Sequence, residues 1–418
     1  MTPLFSVIVP TYNRGTHIRP TILSALGQTF WDYEIIVVTD GCSDGTLDTV
    51  RSIGSPQIST YELPANSGSQ SAPNNLGIER ARGTYIAYLG HDDVWHPEHL
   101  AEIARTFSAN PSADVVASGC IFHGPKGSGI SFVTGLLDGE HPASEHFLPP
   151  SALAHKRDLI DRIGPWVHPE EVVAPVDCEI MLRAFDAGAQ FASTGTVTVH
   201  KFAAGHRYLS YLRPSSAEQE VMLSGLRSFP STSQWSFLID AAKRQDRYMI
   251  MKHDFDRFRK GEIYHQNRSN KGLARPALRR LTERSVLSQT DEPRGLDWHQ
   301  LEAANEPFRW SGPSTYPQFL IPFEGTGAAR LVLHVLDGTP DDVVDALSFD
   351  CDGRSIPHVR DDSTPGLTKL ALEISLRPGD YSVLGITTAR MFRPADGVDG
   401  RLLGIALGDV EIEPRPRN

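Results

Sequence analysis

Short apolar runs separated by polar loops set the frame of the first hundred residues. Residues 5–9 and 34–38 are continuous, β-branched and too short for helices, which predicts buried strands of a parallel sheet. A weaker strand is expected over 58–63 and another over 85–88. Between them the apolar positions recur at helical spacing. Ile18, Ile22, Leu23 and Leu26 share one face, a second helix runs on to Val50, and a third covers 72–82. Strand alternating with helix predicts an α/β sheet with helices on both faces. Residues 115–123 read as a further strand, 124–148 as a Gly- and Pro-rich loop, 176–185 as a helix and 196–201 as a short strand.

After about Pro293 the pattern changes. Short alternating strands are expected at 318–323, 330–335, 347–351, 370–374, 381–386 and 402–412, parted by turns such as Asp352-Gly353 and Pro378-Gly379-Asp380. That is the pattern of an antiparallel β-sandwich. The chain is therefore expected to divide into an α/β domain over 1–240, a basic helical linker over 241–295 and a β-sandwich over 296–418. A length of 418 residues suits two to three domains, each able to bury a core.

Charge narrows the function. A formal net charge of −11 argues against a general nucleic-acid binder. Against that acidic background, residues 243–284 hold 13 Lys and Arg against 5 Asp and Glu, interleaved with Tyr248, Met251, Phe255 and Phe258. Such a stretch reads either as a solvated helical linker or as a surface for an anionic lipid such as a polyprenyl diphosphate. Cys42, Cys120, Cys178 and Cys351 are far apart with no C-x-x-C, which fits buried thiols in a reducing compartment rather than a zinc site. The N-terminus lacks a basic leader pattern, and no apolar run approaches the length of a membrane span. Cytoplasm is the expected location, with contact at the inner membrane face left open by the basic stretch.

The candidate chemistry centres on the end of the 85–88 strand, where Gly90, His91, Asp92 and Asp93 follow in order. Open α/β sheets bind ligands at the C-terminal ends of their strands. Two adjacent carboxylates repel, so a cation or hydrogen-bond donors must compensate them. The oxygen-rich choice is Mg²⁺ or Mn²⁺ shared with a substrate phosphate; the plain alternative is a turn with solvated acids. Polar loops at 10–14 and 39–45 lie on the same sheet edge, where Tyr12 can stack on a base and Asp40 can accept from a base N–H. There is no G-x-G-x-x-G after the first strand and no G-x-x-x-x-G-K-[ST], so dinucleotide and P-loop readings are weak. Asp177 opens the 176–185 helix, a common place for a capping acid.

Taken together, Ser6-Val7-Ile8-Val9-Pro10-Thr11-Tyr12-Asn13-Arg14, Gln28-Thr29-Phe30, Thr39-Asp40-Gly41-Cys42-Ser43-Asp44-Gly45-Thr46, Asn74-x-x-Gly77-Ile78, Ala81-Arg82-Gly83 and Asp92-Asp93-x-Trp95-x-Pro97 resemble glycosyltransferase family 2 in order and spacing. The resemblance implies a Rossmann-like GT-A fold and transfer of a sugar from a nucleotide-diphosphate sugar. It implies that Pro10, Thr11 and Tyr12 line the base pocket, with Arg14, Asp40, Asn74 and His91 as further nucleotide-binding residues. Asp92 would bind the metal. Asp177, with Arg183 at the family's spacing, would be the catalytic base. His200 would complete a metal site whose mixed O/N ligation suits Mn²⁺. Lys201, His206 and Arg207 would face diphosphate, and Trp95 and Glu179 the acceptor. One base opposite the leaving nucleotide implies inversion, and the metal neutralises the leaving diphosphate.

The chain departs from the family pattern at Gly90 for the first Asp of D-x-D, Thr39 for the first Asp of an Asp-Asp-Gly run, Pro73 for a frequent arginine, and Val176 for a Glu. The segment 400–407 resembles accessory β-sandwich domains of bacterial polysaccharide enzymes. The expected function is inverting, metal-assisted glycosyl transfer to a glycan or lipid-linked glycan acceptor in surface-polysaccharide synthesis. Nucleotidyl transfer to a sugar phosphate lacks its Gly-rich basic N-terminal signature here. A catalytically degenerate domain serving glycan binding or scaffolding is the alternative that Gly90, Thr39 and Val176 favour. No nucleic-acid partner is expected, and self-association is left open.

Overall fold

The computed structural model describes residues 2–124, 131–137, 139, 141–204, 207, 209–228, 259–273, 276–290, 295–299, 301–303, 307–312, 314–325, 327–393 and 402–415. These fall into two compact units, the first drawn chiefly from the chain up to Leu273 and the second from the chain beyond it.

In the first unit, β1 (Phe5–Thr11), β2 (Tyr33–Asp40), β3 (Ile58–Leu63) and β4 (Tyr85–Tyr88) lie parallel. β5 (Val94–Trp95), β6 (Val115–His123), β7 (Ser131–Thr134), β8 (Leu153–Lys156) and β9 (Phe191–Lys201) extend the same sheet. The order is β3-β2-β1-β4-β8-β6-β9-β5, with β7 paired to β6. β8 runs antiparallel to β4 and β6, while β9 is parallel to β6. The short β5 replaces part of the turn expected after Asp93: Val94 and Trp95 find partners in His200 and Val199, a long-range pairing that no local signal reveals.

The helices are α1 (Arg19–Leu26), α2 (Thr46–Ser52), α3 (Ser71–Arg80), α4 (His99–Ala109), α5 (Leu159–Ile163), α6 (Val176–Asp186), α7 (Ala217–Ser228) and α8 (Glu262–Asn270). The continuous apolar strands serve two cores at once, because successive side chains leave opposite faces. Phe5, Val7, Val9, Ile35 and Val37 pack with Ile22 of α1 and with Leu100 and Ile103 of α4. Ile8, Ile36 and Val38 belong to the core on the other face, with Ile180, Met181 and Ala184 of α6.

Glu34, buried within β2, is neutralised where it lies. Arg82 donates to it through Nε at 2.9 Å and Nη2 at 2.6 Å, and Ser6 through Oγ at 2.7 Å. Burial pushes the Glu34 carboxyl up, and Arg82 with Ser6 more than reverses this. The Ala81-Arg82-Gly83 stretch thus closes the sheet behind the site: a Cβ on Gly83 would lie 2.5 Å from Ser6 N.

The second unit is an antiparallel β-sandwich. One sheet is built on Ala328–Leu336 between Leu367–Ser375 and Ala406–Pro414. The other is built on Ser382–Thr387 between Gln318–Ile321 and Ser348–Cys351. Leu331, Leu333, Leu372 and Ile412 from the first meet Phe319, Leu384 and Phe349 from the second in one core.

The sandwich begins earlier than residue 296. Arg279–Arg280 pairs with Phe323–Glu324, and Ser285–Leu287 pairs with the Ala406–Pro414 strand. The boundary expected at 295 falls near Leu273, and α8, from the expected linker, packs with the first unit. Of the basic stretch 243–284, residues 243–258 and 274–275 lie outside the described residues, as do His206 and positions 400 and 401. No described helix is long and apolar enough to cross a membrane.

Gly77 of α3 lets that helix pack closely on β1, since a Cβ there would lie 2.5 Å from Ile8 Cγ2. Gly77→Ala is expected to destabilise the first unit by about 1–3 kcal/mol through overpacking. Adding Ile8→Leu, which removes the Cγ2 branch, should recover part of that loss in a double-mutant cycle read by denaturant unfolding.

Candidate active site

Loops from the C-terminal ends of β1, β2, β3 and β4 converge, and each is held by its own polar residues. Asn13 adopts φ 42°, a left-handed conformation that asparagine tolerates. Its Oδ1 accepts the Ser43 N–H at 2.8 Å and its Nδ2 donates to Ser43 Oγ at 3.2 Å, which ties the β1 and β2 loops together. Thr46 Oγ1 accepts the Arg14 and Gly15 N–H groups at 2.8 Å. At Gly41, φ is +63° and a Cβ would lie 2.3 Å from Asn66 N, so glycine lets the β3 loop close on Asp40. Asp40 Oδ1 then accepts Ser67 N–H at 2.9 Å, and Oδ2 accepts Asn66 Nδ2 at 2.9 Å and Ser67 Oγ at 3.0 Å.

Pro10, Thr11, Tyr12, Asp40, His91, Asp92, Asp177 and Lys201 line one cleft of about 360 Å³. Asp92 and its neighbour Asp93 have different environments. Asp93 is fully buried: its Oδ2 accepts from Lys201 Nζ at 2.8 Å and Ser151 Oγ at 2.5 Å, and its Oδ1 from Phe202 N–H at 3.2 Å. Asp92 faces the cleft, with Oδ2 accepting Ala204 N–H at 2.9 Å. The repulsion expected of adjacent acids is thus resolved by sending one inward to a lysine. Gly90 fits the same arrangement, since a Cβ there would lie 2.9 Å from Asp93 Oδ2.

Burial opposes charge throughout this cluster. It pulls Lys201 down, but Asp93 and Asp92 outweigh it and hold the ammonium above its ordinary value. Burial pushes Asp92 up, yet His91, Lys201, Arg14 and Lys271 hold its carboxyl at about 2. Burial pushes His91 down to about 3 against the opposing pull of Asp92. Its Nε2 lies 3.2 Å from Tyr211 Oη. Asp177 occupies the first turn of α6, where its Oδ1 accepts the Cys178 N–H at 3.1 Å. Burial pushes the Asp177 carboxyl up, and Lys201 partly offsets the shift.

Six expected site residues, Arg207 among them, are not on the cleft wall. His200 precedes Lys201 on β9, so the strand's alternation turns it to the other face, where its Nδ1 lies 3.0 Å from His123 Nε2. It is fully buried and does not join Asp92. Trp95 is a core residue: its Nε1 donates to Ser151 O at 2.7 Å and its ring stacks on His99 at 4.2 Å. Glu179 sits two positions along α6 from Asp177, therefore on another side, and is held by Arg183 at 2.6 and 2.9 Å. Asn74 is fully buried in α3, while Pro73 of the same turn reaches the cleft. Arg14 is buried behind the cleft, donating to Ser210 O at 3.4 Å. Its charge reaches Asp92 through space.

The structure adds Tyr211, Tyr264, Arg268 and Lys271 to the cleft wall. The sequence signal for the last three was the basic, aromatic-studded stretch at 243–284, read there as linker or lipid-facing surface. With His200 turned away, Asp92 remains of the two residues expected to hold the metal. Its Oδ1 accepts no hydrogen bond from the described residues. One carboxylate oxygen completed by substrate phosphate oxygens and water is an ordinary Mg²⁺ donor set, so Asp92 fits such an ion and His200 does not. Among the described residues no three His, Cys, Asp or Glu side chains converge as a metal site.

Residues 6–131 match the family model described as Glycosyl transferase family 2. The similarity to that family is thus carried by the first 131 residues of the chain. It is 39% identical over 100 residues to the putative teichuronic acid biosynthesis glycosyltransferase TuaG of Bacillus subtilis, covering 23% of this chain and 39% of that one. It is 32% identical over 137 residues to the poly(ribitol-phosphate) beta-N-acetylglucosaminyltransferase TarP of Staphylococcus aureus, covering 32% and 40%. An uncharacterized glycosyltransferase of Rickettsia prowazekii, RP339, is 37% identical over 115 residues, covering 28% and 35%. The chain thus spans well under half the length of these relatives. Among solved structures, S. aureus TarS 1-349 in complex with UDP-GlcNAc aligns over 53% of this chain and 66% of that one, at 20% identity and TM-score 0.43. Asp177, Lys201 and α8 all lie beyond the residues that the family model matches.

The adjacent acids should separate cleanly in experiment. Asp93→Asn leaves Lys201 buried without its counter-charge and is expected to cost about 3–5 kcal/mol of stability. Asp92→Asn keeps the side chain's shape and should cost markedly less. Equal losses in denaturant unfolding would contradict the division of roles.

Proposed function

We propose that this chain transfers a glycosyl group from a nucleoside-diphosphate sugar to an acceptor hydroxyl, with inversion at the anomeric carbon. The observation that carries this reading is one cleft lined by Tyr12 and Asp40, Asp92, and Asp177. In this reading the base rests against Tyr12 and gives an N–H to Asp40, which lines the same cleft. Asp177 takes the proton from the acceptor oxygen as that oxygen bonds to the anomeric carbon. The bond from carbon to diphosphate oxygen breaks, and its electron pair leaves with the nucleotide. Burial raises the Asp177 carboxyl, which makes it a stronger base than a solvated aspartate. Mn²⁺ or Mg²⁺ bound at Asp92 would supply positive charge to the leaving diphosphate. The names of TuaG, in teichuronic acid biosynthesis, and TarP, acting on poly(ribitol-phosphate), support a polymeric acceptor.

Asp177→Asn is expected to lower kcat by about 10²–10⁴-fold. A thermal-shift panel of UDP, GDP, dTDP and CDP, with Mg²⁺, Mn²⁺ or chelator, should give the same nucleotide shift for this variant as for wild type. Because the base must be ionised, activity should fall as pH drops through the raised Asp177 pKa. The acid limb of the kcat profile should therefore lie above the ordinary aspartate value of about 3.9. Absence of both a nucleotide shift and any transfer in the wild-type chain would overturn the reading in favour of glycan binding.

A further inference from the structure

The helix α8 lies outside both the family match and the α/β domain expected from the sequence, yet it forms a wall of the cleft. Tyr264, Asn267, Arg268 and Lys271 follow one another at i, i+3, i+4 and i+7, which places them on a single helical face. All four line the cleft. The helix is pinned at several points within the first unit. Gly261 N–H donates to Val172 O at 3.0 Å, ahead of α6. Tyr211 N–H donates to Lys271 O at 3.2 Å, and Arg268 Nη1 to Gly68 O at 3.4 Å. Gly68 allows this approach, since a Cβ there would lie 2.2 Å from Tyr264 Oη.

The two lysines of the cleft are not in the same condition. Lys201 is matched by Asp93 at 2.8 Å. Lys271 has no carboxylate within ion-pair distance among the described residues, although Asp92 and Asp177 both act on it through space. Burial pulls its pKa down. A partly buried ammonium without a contact partner is unfavourable unless an anion completes it. Arg268 acts on Asp40 in the same through-space way. The face of α8 therefore runs from the carboxylate assigned to the base to the two carboxylates assigned to metal and proton transfer, with its lysine at the latter end.

We propose that Lys271, presented by the end of α8, binds the diphosphate of the donor directly, so that the segment following the family domain completes the donor site. This rests on the reading of the cleft as a nucleoside-diphosphate-sugar site. It assigns a binding residue and leaves the choice of sugar and acceptor untouched. Lys201 is held by Asp93, while Lys271 meets the phosphates through charge-assisted hydrogen bonds.

The test uses the full chain. Titration calorimetry with UDP, GDP, dTDP and CDP first identifies the diphosphate that binds, and the matching nucleoside is titrated alongside. Lys271→Met should weaken the nucleoside diphosphate tenfold or more and leave the nucleoside within twofold, while Lys271→Arg retains most of the affinity. In wild-type protein, amine acetylation at Lys271, read by mass spectrometry of peptides, should be slowed by the bound nucleoside diphosphate and not by the nucleoside. This second readout does not depend on any variant folding. Unchanged diphosphate affinity in Lys271→Met, equal loss of nucleoside and diphosphate, or no protection of Lys271 each overturns the proposal while leaving the glycosyl-transfer reading standing. A wild-type chain that binds none of the diphosphates overturns both.

Discussion

A lysine at the end of β9 and a carboxylate beyond the end of β4 meet beneath the cleft, 2.8 Å apart and without exposure at the carboxylate. Both partners are desolvated, so neither is easily left alone. Their contact fixes three things together. It joins the last strand of the sheet to the loop after β4, it draws Asp93 inward, and it leaves Asp92 facing the cleft. Ser151 and the Phe202 N–H complete the Asp93 carboxylate, and Gly90 leaves room for this packing. What looks in sequence like a lost acid at position 90 is, in three dimensions, a space that the Asp93 carboxylate borders.

The rest of the cleft is a balance of charges held away from water. Asp40, Asp92 and Asp177 line it together with Lys201, Arg268 and Lys271. Such groups interact more strongly here than in solvent because the surroundings screen them less. The balance explains why three aspartates in one cleft do not behave alike. Asp92 is held well below its ordinary value by its cations, whereas Asp177, further served by its own helix, is raised by burial. Divergent pKa values among neighbouring acids suit a division between holding charge and moving a proton.

Much of the first unit was legible in the sequence because its strands are central and its helices amphipathic. The runs at 5–9 and 34–38 declare buried parallel strands, and their alternation between two cores follows from the pleat alone. The places of Tyr12, Asp40, Asp92 and Asp177 in the chain were legible through motif spacing. The limits have particular causes. His200 and Lys201 are adjacent, and which of them faces the cleft depends on the register of β9 against β6, set by contacts more than 70 residues apart in the chain. Trp95 is sequestered by a two-residue strand that exists only through its partner. Lys271 was visible as a charge but not as a site, because nothing local tells a helix facing solvent from one closing a cleft.

The placement of α8 has a consequence for the order in which the molecule comes into being. The cleft is lined by residues from Pro10 to Leu273. A chain emerging from the ribosome can pair β1 to β4 early, since those strands lie within its first 88 residues. Its ligand-facing wall is still missing at that point and stays missing until residue 271 is free of the exit tunnel. The nascent chain therefore holds a half-built, carboxylate-lined trough for most of its synthesis. The cleft is finished only after the last helix of the first unit has arrived.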